Sequence, residues 1–300
     1  MAESDLTQLD LIVVGGIFRE VIERKTAVPE VRLGGSALTA AIAAARMGVS
    51  VAVSSFVGVE DEEAARGLLV HAGVQPELVI APGASGTFVY PAGGDDEQPR
   101  PLYRPAETSP VSLPELPSAR TLLLFGMPDF DPPRDASAAE VARSAEVLLW
   151  DRQGWLSRTR DASAAAKLQA RRRILLTNAD EAVDEAILDP ETGTITVPSG
   201  YGAGVFKDGR RGVFVLEASG GTTQIPAYPI EVQSSVGSGD IFAGVFAAEV
   251  ASGTSLPNAA RLASAATSAL LRAGETLAPP DLRNMAEGVM REEGSFAWRW

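Results

Sequence analysis

Three short segments of the sequence combine residue types that can carry chemistry. In QSSVGSGDIFAGVF, residues 233–246, Gly237 and Gly239 flank Ser238, and Asp240 follows at the start of a helical pattern. Glycines let a backbone approach a ligand closely, and the amides at a helix start, with the helix dipole, favour a negative group there. Phosphoryl transfer to an alcohol needs such donors for the charge on the transferring group, and a carboxylate such as Asp240 beside them as base for the hydroxyl proton. A glycine turn followed by a residue that only favours the helix dipole is an equally good local reading.

The second segment, LTNADE at 176–181, directly follows a predicted strand. Asn178 and Glu181, three apart at a helix start, share one face and could bind the water shell of a magnesium ion between them. An asparagine cap with Glu at its third position is also an ordinary way to begin a helix, and taken alone that reading is the stronger. In the third segment, LGGSALTAAIAAARMG at 33–48, the pair Gly34-Gly35 precedes a helix of small residues that permit close packing. It is not a dinucleotide fingerprint: Gly15-Gly16 is followed by Ile-Phe-Arg-Glu without a third glycine at the needed offset, and no GxxxxGK[ST] loop occurs.

These segments need a scaffold, and the hydrophobic pattern supplies one. Residues 11–14 form a short apolar, β-branched run closing at Gly15-Gly16, as a buried core strand does, whereas 18–33 alternates apolar and charged residues and reads as strands with one face in water. A helix at 36–47, a strand at 51–57 and a helix at 60–72 follow, each helix stopped by glycine. From 79 to 103 glycine, proline and short alternating runs suit hairpin strands, which could pair with 17–33 as a small side sheet. The alternation then resumes with strands at 121–125, 147–150 and 174–177 and helices at 136–144 and 162–171. A proline-rich stretch at 128–133 reads as a loop over a sheet edge. Two β-rich pieces, 194–207 and 212–216, a loop, and helices at 240–251 and 256–272 complete the order, and the tail from 292 to 300 reads as a frayed or packed end. Such alternation predicts a largely parallel sheet covered on both faces, with ligands bound beyond the carboxyl ends of its strands.

Composition narrows the function. A net charge of -13 over 300 residues disfavours nucleic acid and anionic membrane surfaces as partners. With no cysteine and a single histidine, His71, there is no material for disulfides, thiolate sites, a histidine triad or a multi-histidine metal centre. His71 itself reads as a residue near a helix end beside the last carbonyls. The polar, acidic start MAESDLTQLD and the absence of a long apolar run predict a cytoplasmic protein.

Taken in order, GG at 34–35, NADE at 178–181 and GSGD at 237–240 resemble the ribokinase-like (PfkB-type) carbohydrate kinase family, over roughly residues 11–274. FVGVEDEEAARGLLVHAGV (56–74), GASGTFVY (83–90), VLLWDRQG (147–154) and ASAATSALLRAG (263–274) are similar to further stretches of that family. The resemblance implies a three-layer α/β/α sandwich with a mostly parallel central sheet, residues 1–300 forming one kinase domain with a β lid at about 16–33 and 84–104. It implies that Gly34 and Gly35 contact substrate, that Asn178 and Glu181 support Mg2+ and ATP phosphates, and that Gly237, Ser238, Gly239 and Asp240 form the anion hole and base. VPSGYGAGVF (197–206) is similar to the family's glycine-containing turn near the nucleotide, which implies Gly200 and Gly202 there. Where many members carry an asparagine and then an aspartate for sugar hydroxyls, Phe18 and Glu20 stand here, and Thr39 replaces a common asparagine after the glycine pair. Those changes fit a smaller or less hydroxylated pocket, or a bulkier and partly aromatic substrate. Ser234 replaces an aspartate associated with a monovalent cation, which weighs against potassium activation.

The activity implied is transfer of the γ-phosphoryl group of ATP to a hydroxyl of a small sugar, polyol or nucleoside. The alternative is a catalytically weak or inactive carbohydrate- or nucleoside-binding regulatory protein on the same fold, motivated by Phe18, Glu20, Thr39 and Ser234. A lid with one uncovered face could also be buried by the lid of a second subunit, giving a homodimer.

Overall fold

The computed structural model of the chain describes residues 8–24, 27–91, 100–103, 113–126, 135–153, 168–178, 181–182, 194–230, 235–274 and 277–293. The apolar run after the amino-terminal segment becomes β1 (Leu9–Val14), whose last four residues are fully buried. Leu11 and Val13 point into one hydrophobic cluster and Ile12 and Val14 into another, so the strand is covered on both faces. Burying such a side chain contributes about 1.5–3 kcal/mol, and this two-sided covering makes β1 an interior strand of the sheet.

Beside it run β4 (Val51–Gly58) and β5 (Val74–Ala81) on one side, and β8 (Ala119–Phe125), β9 (Val147–Asp151), β10 (Arg172–Asn178) and β11 (Ala203–Lys207) on the other. All these neighbours pair in parallel, while β12 (Val213–Glu217) and β13 (Thr222–Ile225) extend the far edge antiparallel. The nine strands carry one helical layer built from α1 (Ser36–Arg46), α2 (Glu62–His71), α4 (Ser238–Ala251), α5 (Leu256–Ala273) and α6 (Leu282–Glu293). The opposite face is covered by α3 (Ala136–Ser144). Chain order reverses between β1 and β8, the kind of switch point at which open α/β sheets bind ligands.

A separate four-stranded sheet of order β3-β2-β6-β7 comprises β2 (Phe18–Arg24), β3 (Ala27–Gly34), β6 (Thr87–Tyr90) and β7 (Arg100–Tyr103). It grows directly from the Gly15-Gly16 end of β1, so it stands over the carboxyl ends of the central strands. Helix α4 is buried on every side from Ile241 to Ala251, which fixes its first turn rigidly beneath that sheet.

Several expectations need correction. The segment from 79 was expected to belong wholly to the side sheet, yet β5 is an edge strand of the main sheet, parallel to β4. Its Pro76 and half-exposed residues are what an edge tolerates, and they masked the strand. Strand β13 falls where a loop was expected, and α6 was not foreseen at all. The helix expected at 162–171 lies outside the described residues up to 167, and 168–171 is not helical. The proline-rich stretch at 128–133 also lies outside the described residues.

Candidate active site

A cleft of ≈ 170 Å³ opens where the carboxyl ends of β9, β10 and β11 meet the starts of α1 and α4 under the side sheet. Each strand ends in a polar residue aimed into it: Asp151 from β9, Asn178 from β10 and Lys207 from β11. Gly237, Gly239 and Asp240 line it from α4, Gly35 and Ser36 from α1, and Phe18, Phe88 and Tyr90 from the side sheet.

The first turn of α4 begins at Gly237, whose φ of 83° lies in the left-handed region that glycine adopts without strain. Two amides of the turn are already engaged, Ser238 N–H donating to Ser235 O and Asp240 N–H to Gly237 O. Of the four residues expected to form an anion hole, Gly237, Gly239 and Asp240 line the cleft and Ser238 does not. Asp240 Oδ1 accepts a 2.7 Å hydrogen bond from Gln153 Nε2. The residue keeps a partial opening to the cleft, but protein surrounds its carboxyl. Burial first, then the neighbouring Asp151 carboxylate, pushes its pKa up to about 8, against the pull of Lys207 and the Gln153 hydrogen bond. A carboxylate so tuned is a competent base near neutral pH.

Lys207 Nζ lies 2.6 Å from Asp151 Oδ2, and a Cβ at Gly239 would stand 3.7 Å from the same ammonium. Burial alone would lower its pKa, but Asp151 and Glu181 outweigh that and hold it protonated. The cleft thus holds a protonated Lys207, paired with Asp151, beside Gly239.

Asn178 and Glu181 form a reciprocal cap: Asn178 Oδ1 accepts from Glu181 N–H and Glu181 Oε2 from Asn178 N–H, both at 3.0 Å. The same two side chains line the cleft. Among the described residues no three or more His, Cys, Asp or Glu gather to hold a metal on their own. The donor set fits Mg2+, which is commonly held by one or two carboxylates, water and substrate phosphates instead of an all-protein cage.

The substrate residues expected from the sequence separate into two groups. Gly35, at φ 95°, lines the cleft, and a Cβ there would meet Gly16 O at 2.6 Å. Glu20, Gly34 and Thr39 stand behind it. Glu20 is buried, taking Arg32 Nε on one oxygen and the Gly35 amide on the other, and it occupies the space that a Gly34 Cβ would need. Thr39 packs beneath Gly237, its Cγ2 4.0 Å from where a Cβ would be.

Gly200 and Gly202, expected at the nucleotide, do not line this cleft. They precede β11, whereas the cleft lies at its other end, and at a rise of ~3.3 Å per residue the strand separates them by roughly 15 Å. Their turn serves the sheet's amino edge, where Gly202 N–H donates to Arg173 O and Gly200 O accepts from Arg173 Nε. Ser234 lies outside the described residues, as do 179 and 180.

Sequence reasoning gave no role to Lys207, Asp151, Gln153, Ser36, Phe88 or Tyr90. Lys207 carried a legible signal, as one of only three lysines and the terminal residue of an apolar strand run. The others depend on which loop ends the topology brings together.

The family model for pfkB carbohydrate kinases matches residues 5–282 of the chain. No curated protein matches its sequence. Among solved structures, aminoimidazole riboside kinase from Salmonella enterica, complexed with aminoimidazole riboside and an ATP analog, superposes with a TM-score of 0.73 at 16% identity, covering 93% of this chain and 99% of that one. An Escherichia coli protein described as ribokinase II, with ATP and Mg2+, gives 0.73 at 16% identity over 94% and 99% of the two chains. Ribokinase from Cryptococcus neoformans var. grubii serotype A, with ADP, gives 0.68 at 16% identity over 95% and 99%. At such identities the likeness is one of fold.

Proposed function

The chain belongs to the pfkB family of carbohydrate kinases, and on that premise we propose that it transfers the γ-phosphoryl group of ATP to a hydroxyl of a small sugar, polyol or nucleoside. The observation that carries the reading is the position of Asp240, a carboxylate with a pKa raised to about 8 on the wall of a cleft that also holds amides, a lysine and the Asn178–Glu181 cap. A purely binding protein gains nothing from a base beside an anion hole, which favours an enzyme over the regulatory alternative.

In this reading Asp240 takes the proton of the acceptor hydroxyl as its oxygen forms the new bond to the γ-phosphorus, and the bond from that phosphorus to the departing ADP oxygen breaks. The Gly237 and Gly239 amides and the Lys207 ammonium meet the charge on the transferring oxygens, where such fixed donors stabilise the transition state. Asn178 and Glu181 would hold Mg2+ through water, and the metal would neutralise phosphate charge. The kinase complexes with ATP or its analog among the structural neighbours support the choice of nucleotide, and the one with Mg2+ supports the metal.

We further assign residues 1–300 to one kinase domain whose lid is the four-stranded sheet. The outer strand β3 of that sheet exposes Val28 and Val31, which supports pairing with the lid of a second copy. A cytoplasmic location is part of the same proposal; among the described residues no helix is long and apolar enough to cross a membrane.

The test is ADP release with ATP and Mg2+ across sugars, polyols and nucleosides. Turnover with at least one acceptor, reduced ~100- to 10,000-fold in Asp240→Asn with nucleotide affinity retained, is the expected result. Near wild-type turnover in that variant would overturn the assignment.

A further inference from the structure

The acceptor side of the cleft is lined by aromatic rings where a sugar site needs hydroxyl partners. Phe18 and Phe88 meet edge to face, ring centroids 4.7 Å apart. The Phe18 ring is seated on bare backbone: a Cβ at Gly16 would fall 2.0 Å from its Cζ, and one at Gly35 would lie 3.1 Å from its Cδ2. The wall is therefore built into the fold, because both glycines are required for the ring to lie where it does. Tyr90 stands on the same strand as Phe88, two residues on, and also lines the cleft.

The polar inventory on this side is small. Glu20, a buried carboxylate on the lid strand β2, spends its oxygens on Arg32, the Gly35 amide and, at 3.5 Å, the Tyr90 hydroxyl. Ser36 lines the cleft with a buried hydroxyl that has no partner among the described residues. A buried hydroxyl without a partner is uncommon and costly, so a ligand atom is the natural complement. Lys207 is the only cation among the described lining residues, and it is bound to Asp151 on the nucleotide side. Lys207 apart, no described lining residue answers a phosphate or carboxylate on the acceptor, and the Arg32 guanidinium behind the wall is paired with Glu20.

We infer that the acceptor is an uncharged alcohol carrying a planar unsaturated ring, a nucleoside being the type. Its ring lies against Phe18 and Phe88, one of its polar atoms meets Ser36 Oγ, and its hydroxyl reaches Asp240. Offset or edge-to-face contact with the Phe18 ring is the source of selectivity, and aromatic contacts of this kind are worth about a tenfold preference. The inference rests on the kinase reading of the same cleft, deepening it from any small alcohol to one class.

The experiment pairs direct binding with turnover. Adenosine, guanosine, cytidine and uridine are titrated calorimetrically against the wild-type chain beside ribose, fructose and ribose 5-phosphate, and ADP release is measured for each. At least one nucleoside is expected to bind about tenfold or more tightly than ribose, with ribose 5-phosphate the weakest. Phe18→Leu, which keeps an apolar seat and should fold, is expected to weaken the nucleoside by about tenfold while leaving ribose within about threefold. Ser36→Ala is expected to weaken the nucleoside alone. Preference for ribose, fructose or ribose 5-phosphate with Asp240-dependent turnover would overturn the ring inference and leave the kinase reading intact. Nucleoside binding that depends on Phe18, without ADP release from any acceptor, would do the reverse. No binding by any nucleoside would also overturn the inference.

Discussion

Gln153 Nε2 donates a 2.7 Å hydrogen bond to Asp240 Oδ1, linking the end of β9 to the first turn of α4 across 87 positions of sequence. Gln153 holds a φ of 44°, a left-handed conformation that a non-glycine residue keeps only when its surroundings over-determine it. The side chain is thus aimed at the carboxylate by a backbone that is itself constrained, and the hydrogen bond favours the ionised form of Asp240.

Gln153→Ala is therefore expected to lower kcat about tenfold and to shift the ascending limb of kcat/KM against pH upward, because the bond that lowers the Asp240 pKa is gone. Nucleotide affinity should be unchanged. A pH–rate profile with its limb in the wild-type position would show that Gln153 does not hold the base.

Asp240 itself predicts an opposition between stability and function. Its folded pKa of about 8 exceeds the ordinary carboxylate value of 3.8, so the folded chain binds the extra proton between those values. Stability is then greatest below the lower value and falls as pH rises through the upper one. Asp240→Asn removes that loss. Its unliganded melting temperature should exceed wild type by several degrees at high pH and match it near pH ~4, each ~1 kcal/mol being worth ~2–4 °C in a chain somewhat smaller than this one. Thermal melts at the two pH values check this, and the wild-type kcat/KM should rise with an apparent pKa near 8.

How much of this was readable beforehand follows from local versus long-range causes. The strands from β1 to β10 that sit inside the sheet announced themselves as apolar runs, and α1, α3, α4 and α5 fell within two residues of expectation because glycine, capping and periodicity are local. β5 and β13 escaped because edge strands need only one buried face. α6 was readable but unread: Leu282, Met285, Ala286, Val289 and Met290 recur at helical spacing and pack on the core. At the cleft, Asp240 and Gly35 are lining residues whose segments stand out locally. Glu20 and Gly200 stand off the lining, because sequence gives a residue's position on a strand but not which partners occupy its oxygens, and a glycine motif does not say which end of its strand it occupies.

The Lys207–Asp151 pair is expected to be structural as well as catalytic. Asp151 is 2% exposed, so Lys207→Met leaves a buried carboxylate without its cation, a change that costs about 3–5 kcal/mol. Adding Asp151→Asn should recover much of that stability while turnover stays low, since the charge beside Gly239 is still missing. Chemical denaturation and ADP release of the single and double variants separate the two effects, and recovery of turnover in the double variant would remove Lys207 from the chemistry.

Gly244 tests whether the two helix starts are positioned by one contact. A Cβ there would lie 2.2 Å from Ala40 O and 2.8 Å from Ala40 Cα, so α1 and α4 cross with their backbones in contact. Backbone cannot swing aside as a side chain end can, and Gly244→Ala must push the helices apart. Because α1 carries Gly35 and Ser36 while α4 carries Gly237, Gly239 and Asp240, the same displacement separates the acceptor side from the anion hole. The variant should lose about 1–3 kcal/mol of stability and, where folded, show a raised acceptor KM together with a lowered kcat. Gly288→Ala is the matched control: it lies inside α6, and a methyl there would find nothing within 4 Å. Relief of that glycine's backbone entropy should leave the control neutral or about 0.5–1 kcal/mol more stable. Equal effects from the two substitutions would mean that helix propensity, and not the α1–α4 contact, governs the response.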